Sequence, residues 1–598
     1  MKSKSFHVKH LKFFTIAFLV VFLAFIPKES QAATVGDSIK DKLKLDYVDR
    51  TEWFWTEIEL VSSESSDSST AKNVQIDNQG NIHCIWEDYS NYLGCGVDQD
   101  IFYKFYNKST ASWSITEVVS TESTAESRIP DLAVDSKGNV HVVWYDGSNY
   151  GGSGGDYDIF YKRKNAATGE WIPTIVLSYF SSTVSLGPSI VVDSEDRVHV
   201  VWFDFENILG SGTDGDIVYT SLDPETFQWS DIEIVSTEST GNSFYPDITV
   251  DNEGNLHVAW GDYSDYLGTG TDSDIFYKRW VKALDYWTTT EVISAHTLNT
   301  GDSTNANVAV SYNGTVFIVW KDNSGYFGVG TDLDICWNFW DPITSTWSGS
   351  GIFSWGSSDI STDPRICVDY AGELHCVWTD YQDNYDSGPD ADIWYSTLDP
   401  VAIHSTTPIV LTDNNDDSEI PVIITDDRGF LYMAFSDFSY PEDGGDSDFY
   451  LTKLVVTPES PILSEIEPNQ INTNSCKLNW TLIRTADNYQ IYRYIGNSVS
   501  PANLEYYDTS EFTIYTDYFD ESGTYSYAIK AINEYGQSIF SNIISVEVNI
   551  PRTNHFFNSL DIADFGIIAA LVIGVQIIFT TVLYFLLRNK FMAKKTKK

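Results

Sequence analysis

One unit recurs seven times between residues 55 and 456, and its regularity leaves few folds open. The text NVHVVWYD, ending at Asp146, repeats with its aromatic at Trp86, Trp144, Trp202, Trp260, Trp320, Trp378 and Phe435, at steps of 57–60 residues. Two positions after each aromatic stands an aspartate: Asp88, Asp146, Asp204, Asp262, Asp322, Asp380 and Asp437. Further on, an Asp-x-Asp pair opens the next apolar stretch. The pairs are Asp98/Asp100, Asp156/Asp158, Asp214/Asp216, Asp272/Asp274, Asp332/Asp334, Asp390/Asp392 and Asp446/Asp448. Self-similarity at a fixed period of this size marks a repeat architecture, in which one unit cannot bury its apolar faces alone.

Each unit reads as four short strands separated by turn signals. In the second unit, strand A is DLAVD (Asp131–Asp135), strand B is VHVVWYD, strand C is DIFYKR (Asp158–Arg163), and strand D starts at Trp171. Four strands rich in Val, Ile, Trp and Tyr per repeat predict a propeller blade. A solenoid of stacked coils is the alternative, but it leaves open ends and usually has shorter repeats. The last unit lacks a strand D, and a spare one, WTEIELVS (Trp55–Ser62), stands before the first. Pairing the two closes the ring and removes a sheet edge. The expected fold class is all-β: a seven-bladed β-propeller over 55–456.

The units resemble the Asp-box (BNR) propeller repeats found in sialidases. The text that carries the likeness is VDSKGNVHVVWYD through DYDIFYKRKNAATGEW (Val134–Trp171) and its copies. The family's S-x-D-x-G-x-x-W turn is worn down here to NKSTASW, NAATGEW and DPETFQW, so the likeness covers the blade and not a clean Asp-box. Residues 459–549 resemble a fibronectin type III β-sandwich, through Leu478-Asn479-Trp480, YQIYRY (Tyr489–Tyr494) and the Tyr525/Tyr527 pair.

The chain ends carry their own signals. Lys2, Lys4, Lys9 and Lys12 precede an apolar run from Phe13 to Ile26 and small residues near Ala32, which predicts a signal peptide over 1–32. The uncharged stretch 565–587 is long enough to predict one transmembrane helix, and the basic tail 588–598 would lie inside by the positive-inside rule. The sequence therefore predicts a cell-membrane protein, single-pass, with its N-terminal region outside. The formal net charge of −49 excludes nucleic acid as a partner, because phosphates would be repelled. Halophilic adaptation would spread the acids evenly, whereas many stand at fixed repeat positions. Of the six cysteines, Cys84/Cys95 and Cys367/Cys376 lie close in sequence, and disulfides and buried thiols both stay open.

The long loops between strands B and C emerge on one face together with the D–A loops. Each supplies three carboxylates and several glycines, which points to Ca²⁺ as a candidate cofactor held by the aspartates of the repeat. The alternative is that these aspartates cap turns by accepting backbone N–H bonds. Tyr92, Tyr150, Tyr266 and Tyr326 follow the first aspartate of their loops by four residues and are the candidate ligand-binding residues, stacking on a glycan or gripping a protein. Alternatively each packs over its own loop. His83, His141, His199, His257 and His375 share one strand B position and so stand far apart, as structural residues.

The likeness to sialidases implies glycoside hydrolysis as a further reading, with an arginine triad, a Tyr/Glu nucleophile pair and an acid/base Asp. Arg128-Ile129-Pro130 resembles the family's first arginine motif. Arg163 and Arg279 end strand C and Arg197 and Arg428 lie in A–B turns, which leaves only Arg128 and Arg365 for the loop face. No triad is available. The sequence favours a non-catalytic surface protein that binds a glycan or protein, with sialidase-like hydrolysis or a structural cell-envelope role as alternatives.

Overall fold

The computed structural model describes residues 53–550, except 57, 295–300, 326–331, 383–389, 413, 415, 439–445, 459 and 497–499, together with 576, 578 and 580–584. The chain divides into two compact units at Thr457/Pro458.

The first unit consists of seven antiparallel sheets in which strands A, B and C of each repeat pair in sequence order. In blade 2 these are Ser127–Val134, Val140–Asp146 and Asp158–Lys164, with a short strand D at Ile175–Val176. Strand B is buried along its whole length. It lies between A and C within its blade and between two neighbouring blades, so it reads as a continuous apolar run, without the alternation of a half-exposed strand. The repeated tryptophans Trp86, Trp144, Trp202, Trp260, Trp320 and Trp378 are at most 1% exposed. Trp202 shares one buried cluster with Val143 and Tyr161 of the preceding blade, so the core is continuous across the seam.

Polar locks repeat at the same seams. Lys104 Nζ donates to Val61 O at 3.1 Å and to Glu64 at 2.7 Å, Lys162 to Val119 O and Glu122, and Lys278 to Val235 O and Glu238. Their ammonium groups are buried and fully partnered, as buried charges must be.

The ring closes through the N-terminal segment. Trp53–Trp55 pairs antiparallel with Asp448–Val456, and Glu59–Leu60 pairs with Leu451 and Tyr450 further along the same strand. This segment supplies the strand D that the seventh repeat lacks, and strand A of blade 7 in turn contacts strand A of blade 1.

Strand A carries a bulge in every blade. In blades 2 and 4–7 it places a non-glycine residue in the left-handed region: Ile129, Tyr245, Asn305, Asp363 and Ile420, with φ of 46–54°. For β-branched Ile129 and Ile420 this is real strain, which the surrounding sheet must hold. Just past the bulge, side chains link blade to blade. Asp131 accepts from Asn73 Nδ2 and from Ser189 Oγ (3.2 Å), and Asp247 accepts from Ser189 Oγ (3.2 Å) and Asn307 Nδ2 (2.7 Å).

Burial pushes the Asp247 carboxyl up to about 6, with the nearby Asp131 carboxylate adding to the rise and the Val308 N–H and Arg365 opposing it. A carboxyl with a folded value above its unfolded one, near 4, binds its proton more tightly in the fold. Its contribution therefore favours folding below about pH 4 and is lost as the pH rises through about 6. Two units correspond to about 3 kcal/mol. Asp247→Asn is expected to flatten the fall in stability between pH 4 and 6.5, measured by urea unfolding; an unchanged pH profile would show that Asp247 is not the group responsible.

The second unit is a two-sheet β-structure. One sheet orders Gln470–Ile471, Ile544–Val548, Gly523–Asn533, Asn488–Ile495 and Glu505–Ser510; the other pairs Ser475–Asn479 with Ile514–Tyr518. Leu478, Trp480, Tyr489, Ile491, Tyr527 and Val546 form its core. Buried Asp517 accepts from Arg493 at 3.0 Å and from the Tyr507 hydroxyl at 2.7 Å.

One expectation is overturned. No helix among the described residues is long and apolar enough to cross a membrane. Of the expected 565–587 span the described residues are 576, 578 and 580–584, all helical. The transmembrane helix, and with it the single-pass membrane localisation, is withdrawn. The expected signal peptide (1–32), the rest of 565–587 and the tail 588–598 lie outside the described residues.

Candidate metal centres on the loop-rich face

The three aspartates of each repeat do different work. The first ends strand B fully buried. Asp88 accepts from Trp86 Nε1 (2.9 Å) and Ser69 Oγ (2.7 Å) on one oxygen, and from the Ser90 N–H (2.7 Å) and Ser65 Oγ (3.0 Å) on the other. Asp146 and Asp262 repeat all four bonds, with Trp144 and Trp260 as indole donors. Asp204, Asp322, Asp380 and Asp437 are held by equivalent serine or asparagine donors. These oxygens are engaged in joining the D–A and B–C loops of one blade, which leaves little capacity for a cation.

The third aspartate differs. It starts strand C and accepts one bond from a D–A loop hydroxyl: Ser120 to Asp100 (2.6 Å), Ser178 to Asp158 (2.7 Å), Ser236 to Asp216 (2.9 Å), Ser294 to Asp274 (2.8 Å) and Ser354 to Asp334 (2.7 Å). Thr412 and Ser62 serve Asp392 and Asp448 in the same way. The second carboxylate oxygen of Asp100, Asp158, Asp216 and Asp274 is buried and makes no well-formed hydrogen bond, although Cys95, Ser153, Ser211 and Thr269 stand near enough to oppose the rise in the respective carboxyls. These residues are 2%, 1%, 3% and 7% exposed. Burial first, and then the like charges of the neighbouring Asp98 and Asp146, push Asp100 up to about 6; Asp274 and Asp334 rise equally far, and Asp158 and Asp216 rise for the same reasons. Buried oxygens without partners cost about 1–3 kcal/mol each, more when charged.

The middle aspartate is folded back over the loop. A Cβ at Gly96, Gly154 or Gly212 would collide with the carboxylate of Asp98, Asp156 or Asp214, and each of these glycines has positive φ. Glycine is thus required for the middle carboxylate to lie against the loop backbone. Asp156, Asp332 and Asp446 each also hold one buried oxygen without a partner, whereas in the sixth blade Asp390 and Asp392 both have further interactions. Asp272 accepts a long bond from the Gly301 N–H at 3.4 Å. A hydroxyl or thiol beside the third aspartate completes the oxygen-rich pocket; Ser153 and Thr269 donate to Ser148 O and Ser264 O at 3.3 Å, and Cys95 stands in the same place. The chemistry of this donor set is carboxylate, hydroxyl and carbonyl oxygen, which suits a hard divalent cation.

The expected tyrosines sit lower than the rim. Tyr92, Tyr150 and Tyr266 are half-buried against Phe102, Phe160 and Phe276, with ring centroids 5.9, 6.0 and 5.7 Å apart. Tyr326 lies outside the described residues. The aromatics that directly follow the first aspartate do reach solvent: Tyr89, Tyr263 and Phe438 are 38–40% exposed. Tyr245, on the strand A bulge, is 48% exposed. Strand alternation points to them, since the residue after an inward aspartate faces outward.

Arg128 stands at the start of strand A with its Nε buried and without a partner. Its guanidinium is 3.8 Å from Glu126 and is influenced by Tyr145, Glu87 and Tyr89. Arg365 lies past the bulge, near enough to Asp247 to favour its ionised form, and does not join Arg128. The five histidines each place Nδ1 2.7–2.8 Å from a strand C tyrosine hydroxyl and Nε2 near an A–B turn aspartate. All six cysteines are free thiols. Asp369, Glu373 and His375 bring potential ligand atoms within 4.8 Å of one another and could hold a metal ion.

No protein-family model matches the chain, and no curated protein matches it. Solved structures that resemble it include a fungal alcohol oxidase in complex with copper (13% identity, 83% of this chain and 99% of that one, TM-score 0.42). Another is the GH93 α-L-arabinofuranosidase of Fusarium graminearum (11% identity, 55% and 93%, TM-score 0.36). A third is the leech intramolecular trans-sialidase (8% identity, 65% and 91%, TM-score 0.36). TM-scores this low support no statement of activity, and none of the comparisons supports the fibronectin likeness of the second unit.

Proposed function

We propose that the first unit is a calcium-loaded β-propeller that recognises carbohydrate on its loop-rich face. The observation that carries the calcium is the recurrent inner carboxylate oxygen, buried and without a partner at Asp100, Asp158, Asp216 and Asp274, each beside a second aspartate. A Ca²⁺ ion would take oxygens from the Asp-x-Asp pair and from loop carbonyls, and would set the conformation of the loop that separates them. The exposed rings of Tyr89, Tyr263 and Tyr245 would then offer flat apolar faces beside carboxylates and hydroxyls, a combination suited to sugar rings. A second reading, glycoside hydrolysis, is favoured by one place: Glu87 and Glu126 flank the Arg128 guanidinium near Tyr145.

Binding of purified chain to an oligosaccharide array is expected in 1 mM Ca²⁺ and to fall at least tenfold in EDTA, with Tyr263→Ala weakening it in calcium. Binding indifferent to both changes would remove this reading. Release of new reducing ends, lost in Glu126→Gln, would put the hydrolase in its place.

A further inference from the structure

The A–B turn of blade 6 carries Glu373 where blades 1, 2 and 4 carry an asparagine, and that residue changes its chemistry. In blades 1, 2 and 4 the turn aspartate (Asp77, Asp135, Asp251) accepts from the side chain of an asparagine four residues on. Asn81 Nδ2 donates to Asp77 at 2.8 Å, Asn139 to Asp135 at 2.7 Å and Asn255 to Asp251 at 2.8 Å. The strand B histidine approaches the same oxygen at 3.5, 3.4 and 3.3 Å. In blade 3 the asparagine is replaced by Arg197, and Lys282 reaches Asp193 at 3.3 Å. There the protein itself supplies a donor or a cation to the turn carboxylate.

Blade 6 places a second carboxylate, Glu373, at the asparagine position. The Glu373 N–H still donates to Asp369 Oδ1 at 2.8 Å, so the turn keeps its shape. Its side chain, however, now joins Asp369 and His375 in a group whose ligand atoms lie within 4.8 Å of one another. His375 is fully buried, with Nδ1 2.8 Å from the Tyr395 hydroxyl and Nε2 3.6 Å from Asp369 Oδ2. An imidazole with one nitrogen held by a hydroxyl and the other facing two carboxylates is the arrangement of a metal-bound histidine with its outer partner. One nitrogen and two carboxylate oxygens suit Zn²⁺ and its first-row neighbours better than Ca²⁺, which prefers oxygen alone.

We propose that blade 6 carries a transition-metal site, of the zinc class, formed by Asp369, Glu373 and His375. It lies at an A–B turn, on the face opposite the B–C loops. With His375 Nε2 on the metal, its proton would sit on Nδ1, 2.8 Å from Tyr395 Oη, where it can be donated to that oxygen. The site does not depend on the calcium loops and stands or falls without them.

The test is zinc titration of the full chain in 5 mM Ca²⁺, followed by isothermal calorimetry and by the visible spectrum of the Co²⁺ form. The variant is Glu373→Asn, which restores the residue present in three sibling blades and should leave the fold intact. Wild type is expected to bind one Zn²⁺ and to give a cobalt d–d band, and Glu373→Asn to lose at least 100-fold in affinity and the band with it. His375→Gln checks the nitrogen ligand and should lose the same band. Absence of zinc binding by wild type, or equal binding by Glu373→Asn with its fold confirmed by circular dichroism, would overturn the site.

Discussion

Deleting residues 53–62 is expected to unfold the propeller at physiological temperature, or to lower its melting temperature by at least about 10 °C. These residues supply strand D of blade 7, and without them the Asp448–Val456 strand becomes an open edge that is prone to aggregate. Trp55, Ile58 and Val61, at 9%, 7% and 0% exposure, would vacate the last seam. At ~25 cal/mol per Å² their burial alone contributes about 5 kcal/mol, comparable with the whole net stability of many domains. Two polar anchors go as well: Val61 O no longer accepts from Lys104, and Ser62 Oγ no longer donates to Asp448. A deletion variant that melts cooperatively at the wild-type temperature would show that the ring does not need this closure.

The second large effect concerns the inner carboxylates. Replacing Asp100, Asp158, Asp216 and Asp274 together by Asn is expected to stabilise the chain in EDTA and destabilise it relative to wild type in calcium. Without a cation each residue buries an oxygen that no donor satisfies, next to another carboxylate. Asparagine carries no charge and can still accept the serine bond. In calcium the balance reverses, because a ligand that binds only the native state contributes about 2.7 kcal/mol per site at a hundredfold excess over Kd. The crossing of the two stability orders, read by thermal melts in the two buffers, is the diagnostic. A quadruple variant less stable than wild type in both would mean that these aspartates serve the fold as they stand.

Much of the architecture was legible because it rests on spacing. Seven tryptophan or phenylalanine positions in register, and one strand D at the wrong end, are enough to imply a closed ring, since each blade must cover its neighbour. The histidines were legible for the same reason: one position per blade keeps them apart. What each aspartate does was not legible. Asp88 and Asp100 look alike in sequence, and only the fold brings Ser65 and Ser69 to the first while giving the second Ser120, with Cys95 nearby. Regular spacing points to Tyr92, Tyr150 and Tyr266, which pack on strand C phenylalanines, whereas Tyr89 and Tyr263 stand out by strand alternation. The left-handed bulges at Ile129 and Ile420 leave no trace, because β-branched residues do not announce positive φ. At the C-terminus hydropathy suggested a membrane span that no described helix provides. Glu373 becomes unusual only when set beside Asn81, Asn139 and Asn255 in the folded turns.

The central claim is that the loop-rich face is organised by calcium, and the thermal melt of the full chain in 2 mM Ca²⁺ against 2 mM EDTA tests it most directly. Several sites filled together should raise the melting temperature by at least about 5 °C, reversibly, and Mg²⁺ should not substitute, because it demands a tighter octahedral shell. Coincident melts in calcium and EDTA would contradict the account and return the Asp-x-Asp pairs to turn capping.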